Sequence, residues 1–316
     1  MVVEARFSSV SPIKNHLACI GASLAFSIGV LYTNVTIGGS HHVHPLIFNL
    51  YRQLCASLIL IAASQEVECI KPDRKDLPQL LFLGFLLFVD QIGFMSDMAH
   101  KGGLPSVCLH AAVPAITAIL ALLLKVEQLS WSRMLATTVV VAGTLMVSIG
   151  STGASTMDGG TSTGAMYSLG SSVAQAGYLL LLKRIVARYP PLSTTAWAFL
   201  VSSLWTTVVA ATAVPFGKQW MLPRKATGPL AYWALIGSCC VYVLYGIACK
   251  AMLSTQVALY GSLIPVVGLL FALRIIDYVP VWSFAGVLLV VSGIAWSFGA
   301  RSTSKAAMNL QKDEEV

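Results

Sequence analysis

The feature that most constrains this chain is a succession of ten apolar stretches, each about twenty residues long, separated by short polar or Pro/Gly-rich breaks. A helix rises about 1.5 Å per residue, so about twenty residues cross a ~30 Å hydrocarbon core. The stretches fall at roughly residues 15–37, 44–65, 77–96, 103–125, 131–150, 162–186, 191–214, 228–249, 255–274 and 279–299. Only 10% of the 316 residues are charged. A soluble domain carries about 25%, and this chain has too few to cover a globular surface. The sequence therefore predicts an all-α polytopic membrane protein of ten transmembrane helices, with the lipid bilayer as its surroundings. No connecting loop is long enough to hold a soluble domain.

The net charge of +7 records topology, because the basic residues lie in short loops rather than in the basic-aromatic stripe of a nucleic-acid binder. With the N-terminus inside, the inner segments hold Arg6, Lys14, Lys71, Arg74, Lys75, Lys125, Arg133, Lys183, Arg184, Arg188, Lys250, Arg301, Lys305 and Lys312. The outer segments hold only Lys101, Lys218, Arg224, Lys225 and Arg274. Both termini are expected in the cytoplasm. The seven cysteines lack ligand-like spacing, no cofactor or metal motif is present, and His41, His42 and His44 read as a solvated outer loop. No HExxH, phosphate loop or Ser/His/Asp grouping points to an enzyme.

The Gly/Ser/Thr run near residue 155 splits the chain into two five-span halves that resemble each other. PAITAILALLLKVEQLSWSRMLATTVVVAGTLMVSIG, from Pro114, aligns with PVVGLLFALRIIDYVPVWSFAGVLLVVSGIAWSFG, from Pro265, with one gap. Five is odd, so the second copy enters the membrane from the opposite side. Inverted repeats of this kind mark transporters whose site lies near the midplane between the halves. The expected organisation is a cytoplasmic N-terminus (1–14), a first repeat (15–151), a linker (152–161), a second repeat (162–299) and a cytoplasmic tail (300–316) read as disordered.

The segments LYRQLCASLIL (50–60), VDQIGF (89–94), VPAITAILALLLKVEQL (113–129), AGTLMVSIGS (142–151) and LLLLKRIVARYPPLSTTAW (179–197) resemble the drug/metabolite transporter superfamily with paired EamA domains. Within it they are most similar to the plant nodulin-like branch, which includes the "walls are thin"-related and "usually multiple acids move in and out" transporters. The resemblance implies ten helices and export or facilitated movement of amino acids or related organic acids such as auxin.

Charge inside a bilayer is costly, so Arg52 and Asp90 need an account. Each lies ~20 Å from the cytoplasmic end of its span, and His110 lies ~10 Å from the outer end of its own, so the three share one level. Two readings fit. Either Arg52 or His110 meets a substrate carboxylate while Asp90 meets an amine, or Arg52 and Asp90 form a structural pair. Gln53 and Gln91 adjoin this group. Pro114 and Pro265 interrupt corresponding spans of the two halves, a pointer to a site lining. Gln175 is the clearest uncharged polar group of span six, where close helix packing competes with substrate contact. Glu127 and Asp277 fall at span ends and read as interfacial caps.

The expected function is movement of a small-molecule substrate by alternating access, in the plasma membrane rather than the vacuolar or another internal membrane. Span nine holds no Lys or Arg between Thr255 and Leu273, which argues against phosphate-bearing cargo. The alternatives are a nucleotide-sugar or other metabolite exchanger, or a non-transporting scaffold or channel subunit. A homodimer is compatible with either.

Overall fold

The computed structural model describes residues 12–37, 43–67, 72–101, 110–127, 130–152, 162–273 and 280–314, and all regular structure among them is helical. The first repeat comprises α1 (Pro12–Ile37), α2 (Pro45–Val67), α3 (Leu77–Lys101), α4 (Val113–Leu123) and α5 (Trp131–Thr152). The second comprises α6 (Ser162–Val186), α7 (Pro191–Ala213), α8, α9 and α10 (Val281–Glu314). α8 runs through Thr227–Tyr232, a π-helical stretch Trp233–Cys240 and Val241–Ala251. α9 is broken into Ser254–Gly261 and Leu263–Ala272.

Local chemistry explains these limits. Pro12, Pro45 and Pro191 each open a helix, where the fixed proline φ suits the first turn and the missing N–H costs no bond. Hydroxyls within the spans bond back along their own helix. Examples are Thr117 Oγ1 to the Val113 carbonyl at 2.7 Å and Thr144 Oγ1 to the Val140 carbonyl at 2.6 Å, which satisfies these hydroxyls within the span. α10 continues to Glu314, whereas the tail was expected to be disordered. Its Ala, Met, Leu, Gln and Lys residues extend a helix that is already nucleated.

Burial runs opposite to that of a soluble protein. Leu58, Leu123, Val281 and Leu288 are largely exposed, while Arg52, Gln53, Ser202 and Thr206 are buried. An apolar exterior around a core containing polar groups is what a lipid solvent demands. Among the described residues, seven helices are long and apolar enough to span a membrane, and α4 and α10 contribute shorter apolar segments.

The two repeats pack by a twofold rule. α2 lies against α7 and α5 against α10; α3 packs on α6 as α8 packs on α1; α3 meets α7 as α8 meets α2; and α4 meets α6 as α9 meets α1. Exchanging the repeats reproduces this set of contacts, as the inverted five-helix arrangement requires. The α5–α10 seam is a close backbone approach: a Cβ on Gly143 would lie 2.7 Å from the Gly286 carbonyl oxygen, and one on Gly286 would lie 2.7 Å from that of Gly143. Only glycine lets these backbones touch.

Candidate functional site between the repeats

A small cavity opens between the repeats. It is lined by Phe26 of α1, Phe94 of α3, Val113 and Pro114 of α4, Gln175 and Leu179 of α6, Tyr245 of α8, and Val257, Ala258, Gly261 and Ile264 of α9. Both repeats therefore supply wall, as expected of a site on the axis relating them.

Two interrupted helices shape it. α4 starts after a 3₁₀ turn, His110–Ala112, with Pro114 in its first turn, rather than running unbroken from residue 103. α9 breaks at Ser262, and Pro265 follows in the first turn of its second half. Having no N–H, Pro265 offers no helical bond to the Gly261 carbonyl four residues back. Hydroxyls of α1 serve the flanking carbonyls: Ser23 Oγ donates to Tyr260 O at 2.8 Å and Ser27 Oγ to Ile264 O at 3.4 Å. The Tyr260 carbonyl beside the break is thus served from α1, while the buried Ser262 hydroxyl at the break has no partner among the described residues.

Behind the cavity wall lies an aromatic layer. Phe26 meets Phe94 at 5.3 Å between ring centroids and meets Trp233 edge-on at 5.0 Å. Trp233 occupies the π-helical stretch and donates from Nε1 to Thr33 Oγ1 at 2.7 Å. The Arg52 guanidinium lies over the far side of this layer, 5.2 Å from the Trp233 ring centre, with Nη2 donating to Asn49 Oδ1 at 2.7 Å. A cation over an indole face is held by the ring quadrupole. Arg52 is 1% exposed and is not among the described residues that line the cavity.

Asp90 anchors a neighbouring network. Ser171 Oγ donates to its Oδ1 at 2.9 Å, Tyr242 OH donates to its Oδ2 at 3.3 Å, and Gln91 Nε2 donates to Tyr242 OH. Tyr242 in turn packs edge-on against Tyr245, which lines the cavity. Gln53 accepts from Ser202 Oγ at 3.1 Å and Thr206 Oγ1 at 2.8 Å, a tie across the α2–α7 seam.

Of the residues singled out by sequence, Pro114 and Gln175 thus line the cavity. Arg52, Asp90 and Gln91 form the layer behind it, Gln53 joins the two repeats, and Pro265 is buried just beyond Ile264. The side chain of His110 lies outside the described residues, as do His41, His42 and Asp277. His44 is half-buried before α2, where desolvation lowers its pKa. Tyr245, Tyr242, Trp233, Phe26 and Phe94 escaped the sequence reading, because aromatic residues in an apolar span look like packing. The Tyr242/Tyr245 spacing of three, on one helical face, is the signal that was available.

On the side of the chain termini the repeats are tied by two polar clusters. Glu127, between α4 and α5, accepts from Lys183 Nζ at 3.1 Å and from the backbone N–H groups of Ser254 and Thr255 at 2.6 and 3.3 Å, capping α9. Asp76 accepts from Arg188 Nη1 at 2.5 Å and from Tyr189 OH at 2.8 Å.

This architecture has known relatives. A model of the EamA-like transporter family matches twice, over residues 14–149 and 162–299. The chain belongs to the EamA-like transporter family. Among similar family proteins is the WAT1-related protein At4g08300 of Arabidopsis thaliana, 22% identical, with 86% of this chain and 82% of that protein covered. Another is the uncharacterized transporter YyaM of Bacillus subtilis strain 168, 22% identical over 72% of this chain and 74% of its own length. A protein of known crystal structure shares the fold at a TM-score of 0.72 and 17% identity, over 91% of this chain and 97% of its own. The two EamA repeats are thus the two five-helix halves whose interface holds the cavity.

Proposed function

We propose that this EamA-like transporter moves amino acids or related organic acids such as auxin, in the plasma membrane, by alternating access between its two repeats. The observation carrying this reading is the cavity, walled by both repeats at their broken helices and lined by apolar and aromatic side chains with two uncharged polar groups. Such a lining suits a small cargo with an apolar body and one polar head. Among the described lining residues there is no Lys or Arg, the cations that phosphate oxygens require. That supports metabolite acids over nucleotide sugars.

The test is counterflow into liposomes containing the purified protein, with labelled amino acids, indole-type acids and nucleotide sugars. Saturable accumulation of an amino acid or indole acid is the expected result. Accumulation of nucleotide sugars alone would overturn the reading.

A further inference from the structure

We propose that Gln175 and Tyr245 form the specificity-determining pair of the cavity, an uncharged clamp that accepts cargo only as a net-neutral species with an apolar body. The inference rests on the transport reading above and adds to it the residues that choose among cargoes. Nine of the eleven lining residues offer only hydrocarbon side chains or none, and the two exceptions are Gln175 and Tyr245. Neither the Gln175 amide nor the Tyr245 hydroxyl bonds to any described residue, although neighbouring polar groups such as Ser171, Ser23 and Tyr242 do. A hydrogen-bonding group facing an apolar cavity without a protein partner is poised for a ligand.

Gly261 also lines the cavity, and its carbonyl receives no helical N–H from Pro265, while the neighbouring Tyr260 carbonyl takes the Ser23 hydroxyl; this carbonyl of Gly261 is the third group of the proposed clamp. The Gln175 NH₂ and Tyr245 OH are donors suited to a carboxylate. The Gln175 Oε1 and Gly261 carbonyl are acceptors suited to an ammonium. None of the described lining residues carries a charge. A cargo bearing a carboxylate without an ammonium, or the reverse, would bring an unpaired charge into this apolar space. A zwitterion satisfies both ends at once.

The experiment is counterflow of labelled L-leucine by the full-length protein in liposomes. Competitors are L-phenylalanine, 3-phenylpropionate, phenethylamine and indole-3-acetate at neutral pH, with wild type, Tyr245→Phe, Gln175→Leu and Gln175→Asn compared. Wild type is expected to be inhibited at least tenfold more strongly by phenylalanine than by any analogue lacking one charged group. Tyr245→Phe and Gln175→Leu are expected to raise the leucine KM about tenfold, the loss of roughly one hydrogen bond to a charged group, and to shrink the preference for the zwitterion. Gln175→Asn is expected to retain part of it. Should Gln175→Leu not purify as a monodisperse protein, Tyr245→Phe, which removes one oxygen atom, and Gln175→Asn decide the matter. Wild-type flux with selectivity unchanged in the variants, or preferred uptake of indole-3-acetate, would overturn the clamp alone. No wild-type flux of any probe would overturn the transport reading and the clamp with it.

Discussion

Replacing Glu127 tests how the two repeats are held together on the side of the termini. Its side chain is 1% exposed and that of Lys183 is 27% exposed, so their ion pair is poorly screened by water. The same carboxylate accepts from Ser254 N, Thr255 N and Thr255 Oγ1, the last at 2.9 Å, and so caps the broken helix α9. Glu127→Ala removes an N-cap, about 1 kcal/mol, and deprives a partly buried cation of its counter-charge, about 2–3 kcal/mol. Lys183 keeps the Met252 carbonyl at 3.0 Å, which holds the loss below that of a fully stranded charge. A total of about 3–4 kcal/mol translates into a fall of roughly 6–12 °C in the apparent Tm of the detergent-solubilised protein. Glu127→Gln keeps acceptor capacity for α9 and loses the charge, so about half that fall is expected. In a double-mutant cycle, Glu127→Gln and Lys183→Met should be coupled by about 1–2 kcal/mol. A Glu127→Ala protein melting within 2 °C of wild type would refute the assignment of this carboxylate as the tie between the repeats.

Gly143→Val places a branched side chain where a Cβ already lies 2.7 Å from the Gly286 carbonyl oxygen, so the α5–α10 seam should open and monodisperse yield should collapse, read by size-exclusion chromatography. Asp90→Asn keeps an acceptor for Ser171 or Tyr242 but loses the charge; transport should be abolished with apparent Tm within about 3 °C of wild type, and a misfolded Asp90→Asn protein rescued by adding Arg52→Gln would assign the pair a structural role instead. Arg188→Gln breaks an ion pair whose arginine side chain is half exposed, and its cost should stay below about 1 kcal/mol, seen as a Tm change of less than about 3 °C.

The helices were legible because a bilayer imposes a length on each span, and the repeat was legible because Pro114 and Pro265 head two segments that align residue for residue apart from one gap. Depth along a helix could also be counted, which put Arg52 and Asp90 at one level. The direction each side chain faces could not, since it depends on how distant helices dock. Arg52 turns toward Trp233, a residue of the other repeat, and so lies behind the cavity rather than in it. The breaks in α8 and α9 were hidden for a related reason. The π-helical stretch Trp233–Cys240 and the interruption at Ser262 lie in sequence as apolar as any unbroken span, and they are sustained by bonds from α1, such as Ser23 to Tyr260. The Tyr242/Tyr245 spacing marks a shared helical face, but it does not say whether either hydroxyl meets protein or cavity.

As a proposed transport path, the space between the repeats must be reached from each side of the membrane in turn. Ala258 lines it and is 3% exposed, so a single cysteine at this position, with the seven native cysteines replaced, reports access directly. Membrane-impermeant maleimide is applied from either side of liposomes holding the Ala258→Cys protein, with and without saturating transported amino acid. The account predicts modification from both sides, slowed by cargo. Modification from one side only, at a rate that cargo leaves unchanged, would contradict it.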